Sequence, residues 1–533
     1  MTNPTIKRFN TTGPCVPSKH YMIPVLPRIQ DIDEMIEGEF YFIIHAPRQS
    51  GKTTYLKLLT ERINLDGNFY AINCSLATLR GTENEDIAMR KITAQINQSM
   101  RYSTVETIKD KAFLYDNLPG MNEPTIKVRT ILSKLCMELD KDLIIFFDEA
   151  DCLSGSGLIT FLAQIRDGYL YRDIPGNKFP RSMALVGMRD IRDYLAQARS
   201  GEPTTGVASP FNVKKEALTL ANFTREEIGM LYQQHTVASG QVFESEAVDR
   251  AWYWSQGQPW LVNALAYEIV VKILKKEYTK PVTEDSMEQA AEALIMDKHT
   301  HIDSLLERLK EPRVIRVMDS VFSGSKSKVA INSDERQYCI DLGLVVVGEG
   351  QNLQPANRIY QEVMSRVLTD PVHYALDNSI ANNKYFDGPI IRISELLKNF
   401  QKYWRENADS FPKHNKLLDV FRYDEAVHVM MLFPYVQKAL NGAAKVYREY
   451  AEGRGYVDIL ATFKEKQYLI EVKIKDNFKK TQALKQIAKY LDTSGENEAW
   501  LVVFDRNRNK TWDDKITWET VQINKFNIHI VGC

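Results

Sequence analysis

The sequence predicts an α/β fold with two separate sheets, and three observations lead to this prediction. Apolar runs alternate with amphipathic helical stretches over residues 39–220, which is typical of a parallel sheet covered by helices on both faces. A mainly helical stretch follows, and a second group of apolar strands begins after residue 413. The 533 residues of the chain accommodate about three or four domains.

Residues 1–38 are rich in proline and are predicted to form an extended lead-in to the first domain, which spans 39–220. Five strands are predicted there, in EFYFIIHA from Glu39, NFYAINC (Asn68–Cys74), DLIIFFDEAD (Asp142–Asp151), SMALVGMRD (Ser182–Asp190) and EALTL (Glu216–Leu220). Helical apolar spacing separates them, over Thr53–Ile63, Glu85–Met100 and Thr125–Leu139.

A helical lid is predicted over residues 221–300. Thr224, with Glu227 three residues later, is a capping box that opens one helix, and Pro259 suits the first turn of another. Residues 301–370 run helix, helix and hairpin, the pattern of a winged helix. Residues 371–412 are polar and mixed, and we interpret them as a connector with some helix.

The second α/β domain is predicted over residues 413–533. It begins with a helix over roughly Glu425–Leu440, followed by a hairpin that pairs Gly455–Phe463 with Gln467–Ile474 across a charged turn. The helix TQALKQIAKYL and the strand Ala499–Asp505 come next.

Composition excludes several classes of protein. The 68 Lys and Arg residues nearly balance the 69 Asp and Glu residues, so any contact with a polyanion depends on local basic patches. Apolar runs of about five residues are too short for a membrane-spanning helix, which needs about twenty. Six scattered cysteines without a CxxC pair, and an N-terminus without an apolar segment, favour a reducing cytoplasm over a zinc site or a disulfide framework.

A phosphate-binding loop is predicted between the first strand and the first helix, where the sequence reads A-P-R-Q-S-G-K-T-T. The predicted nucleotide-binding residues are Ala46, Pro47, Arg48, Gln49, Ser50, Gly51, Lys52, Thr53 and Thr54. Backbone N–H groups hold phosphate oxygens in such loops, Lys52 would reach the β- and γ-phosphates, and the Thr53 hydroxyl would bind Mg²⁺. Ala46 stands where glycine is usual, and a positive φ there would cost about 1 kcal/mol.

Two acids end the apolar run LIIFF at the tip of the third strand. Asp148 is predicted to hold Mg²⁺ through water, and Glu149 to polarise an attacking water molecule. The alternative is a chance turn at Gly51–Thr53 and a merely solvated strand end. The occurrence of both motifs in the right elements and order favours binding of ATP or GTP.

A carboxylate–lysine group is predicted on the C-terminal hairpin. Glu471 and Lys473 share one face of their strand, and a turn at Lys464 to Lys466 places Asp458 opposite Lys473 and diagonal to Glu471. Two buried carboxylates need a neutralising cation, and Mg²⁺ prefers oxygen ligands. With Lys473 positioning or deprotonating water, the group suits phosphodiester hydrolysis. The alternative is a hairpin with a salt-bridged solvent face.

The first part of the chain, over roughly residues 7–368, resembles AAA-like P-loop ATPases related to archaeal and STAND-type ATPases. The resemblance rests on RFNTTGPCVPSKHYMIP, HAPRQSGKTT, FFDEAD, VGMRD, SPFNV, GQPWLVNALA and NRIYQEV. It implies that Arg189 at the fourth strand tip senses the γ-phosphate, where the alternative is an ordinary surface arginine, and that Pro259 lies where the lid meets the nucleotide. Residues such as serine replace the first P-loop glycine in this group, which accommodates Ala46.

The C-terminal part, over roughly residues 413–507, resembles the PD-(D/E)xK nuclease superfamily. Asp458, Glu471 and Lys473 match its three signature residues, while Val457 replaces the proline that usually precedes the aspartate.

The same resemblance implies three further site residues. Gln486 and Tyr490 match the QxxxY helix of the recombination-exonuclease-like branch. It also implies a metal ligand from the preceding helix, for which Glu425 is favoured over His428.

Three other groups have a possible functional reading and a structural one. The basic residues of the predicted winged helix suit either DNA contact or packing between domains. The lid aromatics could stack on bases, but a place in the core of the lid is favoured. His20 and Tyr21 suit either contact with adenine or packing. The basic residues are Arg308, Lys310, Arg313, Arg316, Lys326 and Lys328, and the aromatics are Trp252, Tyr253, Trp254 and Trp260.

These features together predict a cytoplasmic enzyme in which an ATP-binding and ATP-hydrolysing AAA-like domain controls a Mg²⁺-dependent nuclease. The expected cofactors are ATP and Mg²⁺. The expected partners are a nucleic acid, with DNA favoured, and further copies of the chain through the ATPase domain, without a membrane. Such fusions suit prokaryotic defence or mobile-element biology. Two alternatives are a STAND-like ATP switch whose nuclease-like domain only binds nucleic acid or a partner, and a DNA-translocating motor whose nuclease trims ends.

Overall fold

The structure of the protein is a computed structural model of the chain. It describes residues 6–24, 28–29, 31–112, 123–187, 214–296, 307–309, 311–322, 333–348, 353–364, 385–408, 424–440, 444–452, 455–475, 479–505, 507 and 509–533. The chain forms two compact units. The first is Met1–His301 with Gln337–Val346 and Pro355–Ile359, and the second is Ile302–Arg336 with Val347–Gln354 and Tyr360–Cys533. Among the helices described, none has the length and apolar character to cross a membrane.

A five-stranded parallel sheet is the centre of the first unit, which confirms the predicted parallel-sheet α/β core. Its strands are β1 (Tyr41–His45), β2 (Tyr70–Ser75), β3 (Leu143–Asp148), β4 (Ser182–Gly187) and β5 (Lys214–Thr219). They lie in the order β2-β3-β4-β1-β5, and every neighbouring pair is parallel. The carboxyl ends of β1 and β3 therefore open at the same edge of the sheet.

Helices cover both faces of this sheet. Because successive strand residues point to opposite faces, Ile43 and Ile145 enter one apolar core, while Phe42 and Phe146 enter the other. The first core is formed with α3 (Glu85–Arg101), α5 (Lys127–Glu138) and α6 (Gly155–Tyr171), and the short α4 (Glu106–Lys109) borders it. The second is formed with α1 (Ile32–Glu37) and α2 (Lys52–Asp66).

Helix α1 corrects part of the extended lead-in predicted for residues 1–38. Ile32, Met35 and Ile36 follow helical spacing and are buried against the sheet, so this short stretch is helical. Residues 6–24 contain no described helix or named strand; they have an isolated bridge between Arg8 and His20 and a turn in which Lys19 N and His20 N both donate to Val16 O at 2.9 Å.

The lid residues of the first unit are helical. The helices are α7 (Arg225–Ser239), α8 (Ser245–Ser255), α9 (Pro259–Tyr267), a π-helical extension at Glu268–Ile273 and α10 (Glu284–Met296). The predicted capping box opens α7: Glu227 N donates to Thr224 Oγ1 at 3.2 Å, and Thr224 N donates to Glu227 Oε2 at 2.8 Å. Pro259 occupies the first turn of α9, as predicted.

The segment predicted to be a winged helix has the expected element order. It consists of α11 (Pro312–Phe322), α12 (Ser333–Asp341), and the short strands β6 (Val345–Val347) and β7 (Leu353–Pro355). Its residues are divided between the two units, so a separate winged-helix domain over 301–370 stays a prediction.

A six-stranded mixed sheet is the centre of the second unit. The strands are β10 (Lys445–Glu452), β11 (Gly455–Phe463), β12 (Lys466–Ile474), β13 (Glu498–Phe504), β14 (Trp518–Ile523) and β15 (Phe526–Gly532), after a small pair formed by β8 (Phe386–Asp387) and β9 (Ile390–Ile391). The sheet order is β10-β11-β12-β13-β15-β14, in which β12, β13 and β15 run parallel. The helices are α13 (Ile393–Asn407), α14 (Asp424–Leu440), α15 (Lys480–Ser494) and the short α16 (Trp512–Lys515).

Helix α13 belongs to the core of this unit, although it falls in the predicted connector 371–412. Leu397 and Phe400 are completely buried in a cluster that includes Trp500 and Phe504 of β13. This core lies on the face of the sheet that α13 and α14 cover, whereas α15 packs on the opposite face, against Leu501 and its neighbours. The described part of the connector is therefore a structural element of the C-terminal fold.

Candidate functional site

The phosphate-binding loop predicted at residues 46–54 lies between β1 and α2, at the carboxyl edge of the first sheet. Gly51 is the N-cap residue of α2 and has φ 91°, a conformation that glycine adopts without strain. Ala46 is buried, and its φ is not positive, so the strain that Ala would suffer at a positive φ does not arise. The positive φ values in the loop belong to Gln49, at 57°, and Gly51.

The amino end of α2 is suited to an anion. Among the described residues, no side chain caps this helix, so its first N–H groups keep their donor capacity. Ser50 Oγ, in a residue that is only 2% exposed, is likewise without a hydrogen-bond partner in the described structure. A buried unpartnered hydroxyl is costly, and a phosphate oxygen at this position would satisfy it.

Lys52 holds its ammonium group over the loop. Lys52 Nζ donates to Ala46 O at 2.5 Å and to Pro47 O at 2.7 Å. Burial lowers the pKa of Lys52 to about 8, although Asp148, Asp151 and Glu149 oppose this shift. The two carbonyl oxygens that accept from Lys52 carry no net charge. A bound phosphate is negatively charged, so it would pair with the ammonium more strongly and would raise the pKa of Lys52 again.

The two predicted Mg²⁺ ligands of the loop site lie side by side. Thr53 Oγ1 donates to Asp148 Oδ2 at 2.8 Å, which joins α2 to the end of β3. Burial raises the pKa of Asp148, while the bond from Thr53 and the charge of Lys52 oppose that rise. A hydroxyl and a carboxylate next to a phosphate site fit Mg²⁺. The neighbouring Thr54 has a different role, because its Oγ1 accepts from Cys15 N at 3.0 Å.

Glu149 follows β3 in a left-handed conformation, with φ 57°. Ser75 Oγ, at the end of β2, donates to Glu149 Oε2 at 3.4 Å. Burial and the charges of Asp148 and Asp151 raise the pKa of Glu149, which makes its carboxylate a better proton acceptor. Arg189, the predicted sensor, lies outside the described residues, so its role stays a prediction.

Arg28 and Gln258 contact the loop and were missed by the sequence analysis. Arg28 is 8% exposed, and its guanidinium donates to Ser50 O at 3.2 Å and through Nε to Ala221 O at 3.1 Å. Gln258 Nε2 donates to Gln49 O at 3.4 Å, while Gln258 Oε1 caps α9. The loop is thereby bonded directly to Gln258 within the lid, and through Arg28 to Ala221 at the start of the lid. Gln258 had a signal, since it precedes the first-turn Pro259, but Arg28 lies in no recognisable pattern.

We expect Arg28→Met to raise the Kd for ATP by about tenfold, because each buried carbonyl left without a donor costs about 1–3 kcal/mol. Titration of the full-length variant with a fluorescent ATP analogue measures this change. The matched control is Arg62→Met, since Arg62 on α2 makes an ion pair with Asp33 at the surface. Equal affinities in both variants would show that Arg28 does not support the loop.

The lead-in and lid aromatics pack together in the first unit. Tyr21 is 2% exposed, its hydroxyl lies 3.1 Å from His235 Nδ1, and its ring lies 5.0 Å from that of Phe9. His20 is also buried, so the structure favours packing over adenine contact for both residues. Trp260 is buried and donates to Thr11 O, which agrees with the lid-core interpretation; Trp252, Tyr253 and Trp254 are half-buried.

Three basic residues of the predicted winged helix face acids within the second unit. Arg308 and Arg313 both form ion pairs with Glu311, and Arg316 pairs with Glu335. Lys310, Lys326 and Lys328 lie outside the described residues, so DNA contact by this segment stays a prediction.

The hairpin of the second unit turns earlier than predicted. Phe463 pairs with Lys466, so the turn has two residues, of which Lys464 has φ 54°. Two-residue turns with a positive φ match the twist of antiparallel strands. The last pair of the ladder is Ile459 with Ile470. Asp458 is the next residue along β11, so it lies opposite Glu471 and not, as predicted, opposite Lys473.

Asp458, Glu471 and Lys473 nevertheless converge. Lys473 Nζ lies 2.9 Å from Glu471 Oε1 and 3.7 Å from Asp458 Oδ2. Asp458 Oδ2 also accepts from Val472 N at 2.7 Å, which ties this side chain to β12. The three side chains are 27%, 4% and 20% exposed in the order above, so Glu471 is the buried member and the other two reach solvent.

Gln486 and Tyr490 on α15 lie next to Glu471, as the QxxxY resemblance implies. Gln486 Nε2 is 3.3 Å from Glu471 Oε1 and donates to the Tyr490 hydroxyl at 2.7 Å. The second oxygen, Glu471 Oε2, is buried and has no hydrogen-bond partner in the described structure. A cation at this oxygen would satisfy it and would neutralise the two carboxylates.

The third predicted metal ligand cannot be placed. Glu425 and His428 belong to α14, but their side chains lie outside the described part of the structure. Among the side chains that are described, no three from His, Cys, Asp and Glu are arranged to hold a metal. The described donor set therefore consists of the two carboxylates of Asp458 and Glu471.

We expect Mg²⁺ binding at this site to strengthen as the pH rises. Burial, followed by the charge of Asp458, raises the pKa of Glu471 to about 7. The metal requires the carboxylate form, so the affinity should fall by about tenfold for each pH unit below this pKa and stay level above it. Calorimetric titration of nucleotide-free protein with Mg²⁺ measures the effect, and Glu471→Gln should remove it. An affinity independent of pH in the wild type would contradict the assignment.

Residues 414–508 match a family model described as a domain of unknown function, DUF8371. No curated protein sequence matches the chain. Solved structures similar to this chain include a Walker-type ATPase of Pyrococcus abyssi, with 16% identity over 68% of this chain and 99% of that one and a TM-score of 0.44. The ORC2 protein of Aeropyrum pernix has 14% identity over 64% and 91% of the two chains, with a TM-score of 0.37. The Holliday junction branch migration motor RuvB of Thermotoga maritima has 13% identity over 63% and 93%, with a TM-score of 0.32.

Proposed function

We propose that the protein is an ATP-binding and ATP-hydrolysing enzyme that controls a Mg²⁺-dependent nuclease within the same chain. The nuclease part rests on one observation above all: the buried oxygen of Glu471, next to Asp458 and Lys473, that has no hydrogen-bond partner among the described residues. A buried carboxylate with spare acceptor capacity beside a second carboxylate suits a cation better than it suits a structural ion pair.

In the first unit, the chain binds and orients the triphosphate. The α2 amides and Lys52 contact the phosphates, and Thr53 and Asp148 would hold Mg²⁺, which neutralises charge on the phosphate oxygens. Glu149 orients the attacking water and accepts its proton. Arg189 would contact the γ-phosphate. Arg28 and Gln258 hold the backbone of the loop, so its N–H groups keep the direction that phosphate binding needs.

In the second unit, the chain aligns water with a phosphodiester. Asp458, Glu471 and Glu425 would hold Mg²⁺, which supplies Lewis-acid stabilisation of the charge on the phosphate. Lys473 positions the attacking water as an ammonium or, once it has released its own proton to solvent, receives the proton of that water. Gln486 bonds Glu471 and is itself bonded to Tyr490, so these two residues keep the buried carboxylate in one orientation.

A cleavage assay tests the nuclease. Full-length wild type and Asp458→Ala are incubated with Mg²⁺ or EDTA, with and without ATP, on linear and circular duplex DNA, single-stranded DNA and RNA. We expect metal-dependent cleavage, with DNA as the substrate, that is lost in Asp458→Ala. Undiminished cleavage by that variant would overturn the site.

A STAND-like switch is the second candidate, in which the C-terminal domain only binds nucleic acid or a partner. It is favoured by the position of the Lys473 ammonium, which already faces both carboxylates and could serve as their permanent cation. Under this hypothesis, the wild type binds nucleic acid without cleaving any of the four substrates, and added Mg²⁺ does not alter its binding.

A further inference from the structure

A buried carboxylate with two lysines lies at the carboxyl end of β13 in the second unit. Asp505 follows β13 directly, its side chain is 4% exposed, and its Oδ2 accepts from Lys475 Nζ and Lys510 Nζ, both at 2.9 Å. Asn507 N donates to the other oxygen at 3.1 Å. Burial tends to raise the pKa of Asp505, but the hydrogen bonds from both lysines hold it well below its usual range. The carboxylate is therefore ionised.

The two ammonium groups carry more charge than Asp505 neutralises. Two positive charges against one negative charge leave an excess of one, and both lysines reach solvent, with side chains 48% and 37% exposed. Asp514 also acts on Lys510 electrostatically, but more weakly than Asp505, which bonds the ammonium directly. An ammonium has three donor hydrogens, so each lysine can contact a second anion on its solvent side.

This cluster lies at the same edge of the sheet as the carboxylate–lysine site. Lys475 extends β12 by one residue, since its N donates to Phe504 O at 3.0 Å. Glu471, Lys473 and Lys475 alternate along the strand and share the face that α15 covers. At about 3.3 Å per residue, Lys475 lies about 7 Å along the strand from Lys473.

We propose that Lys475 and Lys510, held together by Asp505, form a lysine clamp that binds the phosphodiester backbone of a nucleic acid beside the Asp458–Glu471–Lys473 site. The inference rests on the proposed function, because it takes a nucleic acid as the substrate of that site. Asp505 is a positioning residue, which keeps two like charges close together. Contacts to phosphates orient a strand without reading its bases, so the clamp would hold the substrate irrespective of sequence.

The salt dependence of binding tests the clamp. The full chain carrying Asp458→Asn is titrated against a labelled DNA duplex over a series of KCl concentrations, with fluorescence anisotropy as the readout. The slope of log K against log salt is negative, and each lost phosphate contact reduces its absolute value by about 0.9. Lys475→Gln with Lys510→Gln should therefore make the slope less steep by about 1.8. On the same relation, affinity at about 0.1 M salt should fall by about 60-fold.

Three controls separate charge from structure. Lys475→Arg with Lys510→Arg keeps both charges and should keep the slope. Lys464→Gln with Lys466→Gln removes two exposed lysines from the opposite end of β12, and should leave the slope unchanged. The single glutamine variants should each lower the slope by about 0.9, and they decide the question if the double variant does not fold.

The outcomes for the clamp and for catalysis are distinct. An unchanged slope in the glutamine variants, an equal loss in the arginine variant, or no binding of DNA by the parent protein would each overturn the clamp. If the clamp variants behave as expected but the wild type cleaves no nucleic acid, the clamp stands and the proposed nuclease fails.

Discussion

Lys52→Ala is expected to lower ATP hydrolysis by about 100-fold or more, because the ammonium is a preorganised charge at the phosphate site. In the nucleotide-free loop, this group is already in place over Ala46 O and Pro47 O, so it needs little rearrangement to meet a phosphate. Phosphate release in the presence of Mg²⁺ measures the rate, and a fluorescent ATP analogue measures binding.

Lys57→Ala is the matched control for this variant. Lys57 lies on the same helix but is exposed, so its loss should leave both binding and hydrolysis near the wild-type values. Hydrolysis by Lys52→Ala at the wild-type rate would contradict the nucleotide site.

In a cleavage assay, Lys52→Ala should also lose the response to ATP. If it cleaves as the wild type does at every ATP concentration, ATP does not control the nuclease.

Glu471→Gln is expected to reduce metal-dependent cleavage by about 1000-fold or more, since several kcal/mol of charge stabilisation are lost at about 1.36 kcal/mol per factor of ten. The amide has nearly the shape of the carboxylate, but it lacks the charge that a cation requires. Initial cleavage rates across a series of Mg²⁺ concentrations measure the loss, and higher Mg²⁺ should not restore them.

Glu471→Gln should lose cleavage without losing stability, and this combination distinguishes the loss of a metal ligand from a folding defect. Because the pKa of Glu471 is raised to about 7, its charged form is disfavoured in the folded state, and metal-free wild type should lose stability as the pH rises from about 5 to 8. Glu471→Gln should therefore unfold at the same or a higher temperature than the wild type at pH 8 in EDTA. Glu465→Gln, in the exposed turn of the hairpin, is the control and should cleave normally. Loss of cleavage with a lowered unfolding temperature would point to damage to the fold.

Much of the first site follows from local sequence. The loop from Gln49 to Lys52 lies directly between a buried strand and a helix. Its backbone is specified locally, because the two positive φ values, at Gln49 and Gly51, adjoin the start of the helix in the chain. The proximity of Thr53 and Asp148 was also predictable, since the carboxyl ends of parallel strands meet at one edge. The contact of Arg28 with the loop could not be predicted from local sequence, because its partners Ser50 and Ala221 are 22 and 193 residues away in the chain.

The second site was predicted in its residues but not in its pairing. Alternation places Glu471 and Lys473 on one face whatever the register. The partner of Asp458 depends on the register of the hairpin, and the observed register moves that partner by two positions, from the predicted Lys473 to Glu471. The helix α13 illustrates the same difficulty on a larger scale. Its polar composition suggested a connector, but its spacing of Leu396, Leu397 and Phe400 makes an apolar face that the sheet buries.

By itself, the sequence determined the α/β class, the order of most elements, and two candidate sets of residues whose chemistry suits phosphate and metal binding. These properties follow from apolar periodicity and from residues close together in the chain, so no long-range contact is needed to infer them. Tertiary structure alone decided that Asp458 lies opposite Glu471, that Glu471 Oε2 is buried without a hydrogen-bond partner in the part of the chain described, and that Asp505 bonds both Lys475 and Lys510. The reason is physical: burial and charge proximity depend on which distant segments pack together, and local pattern does not contain that information.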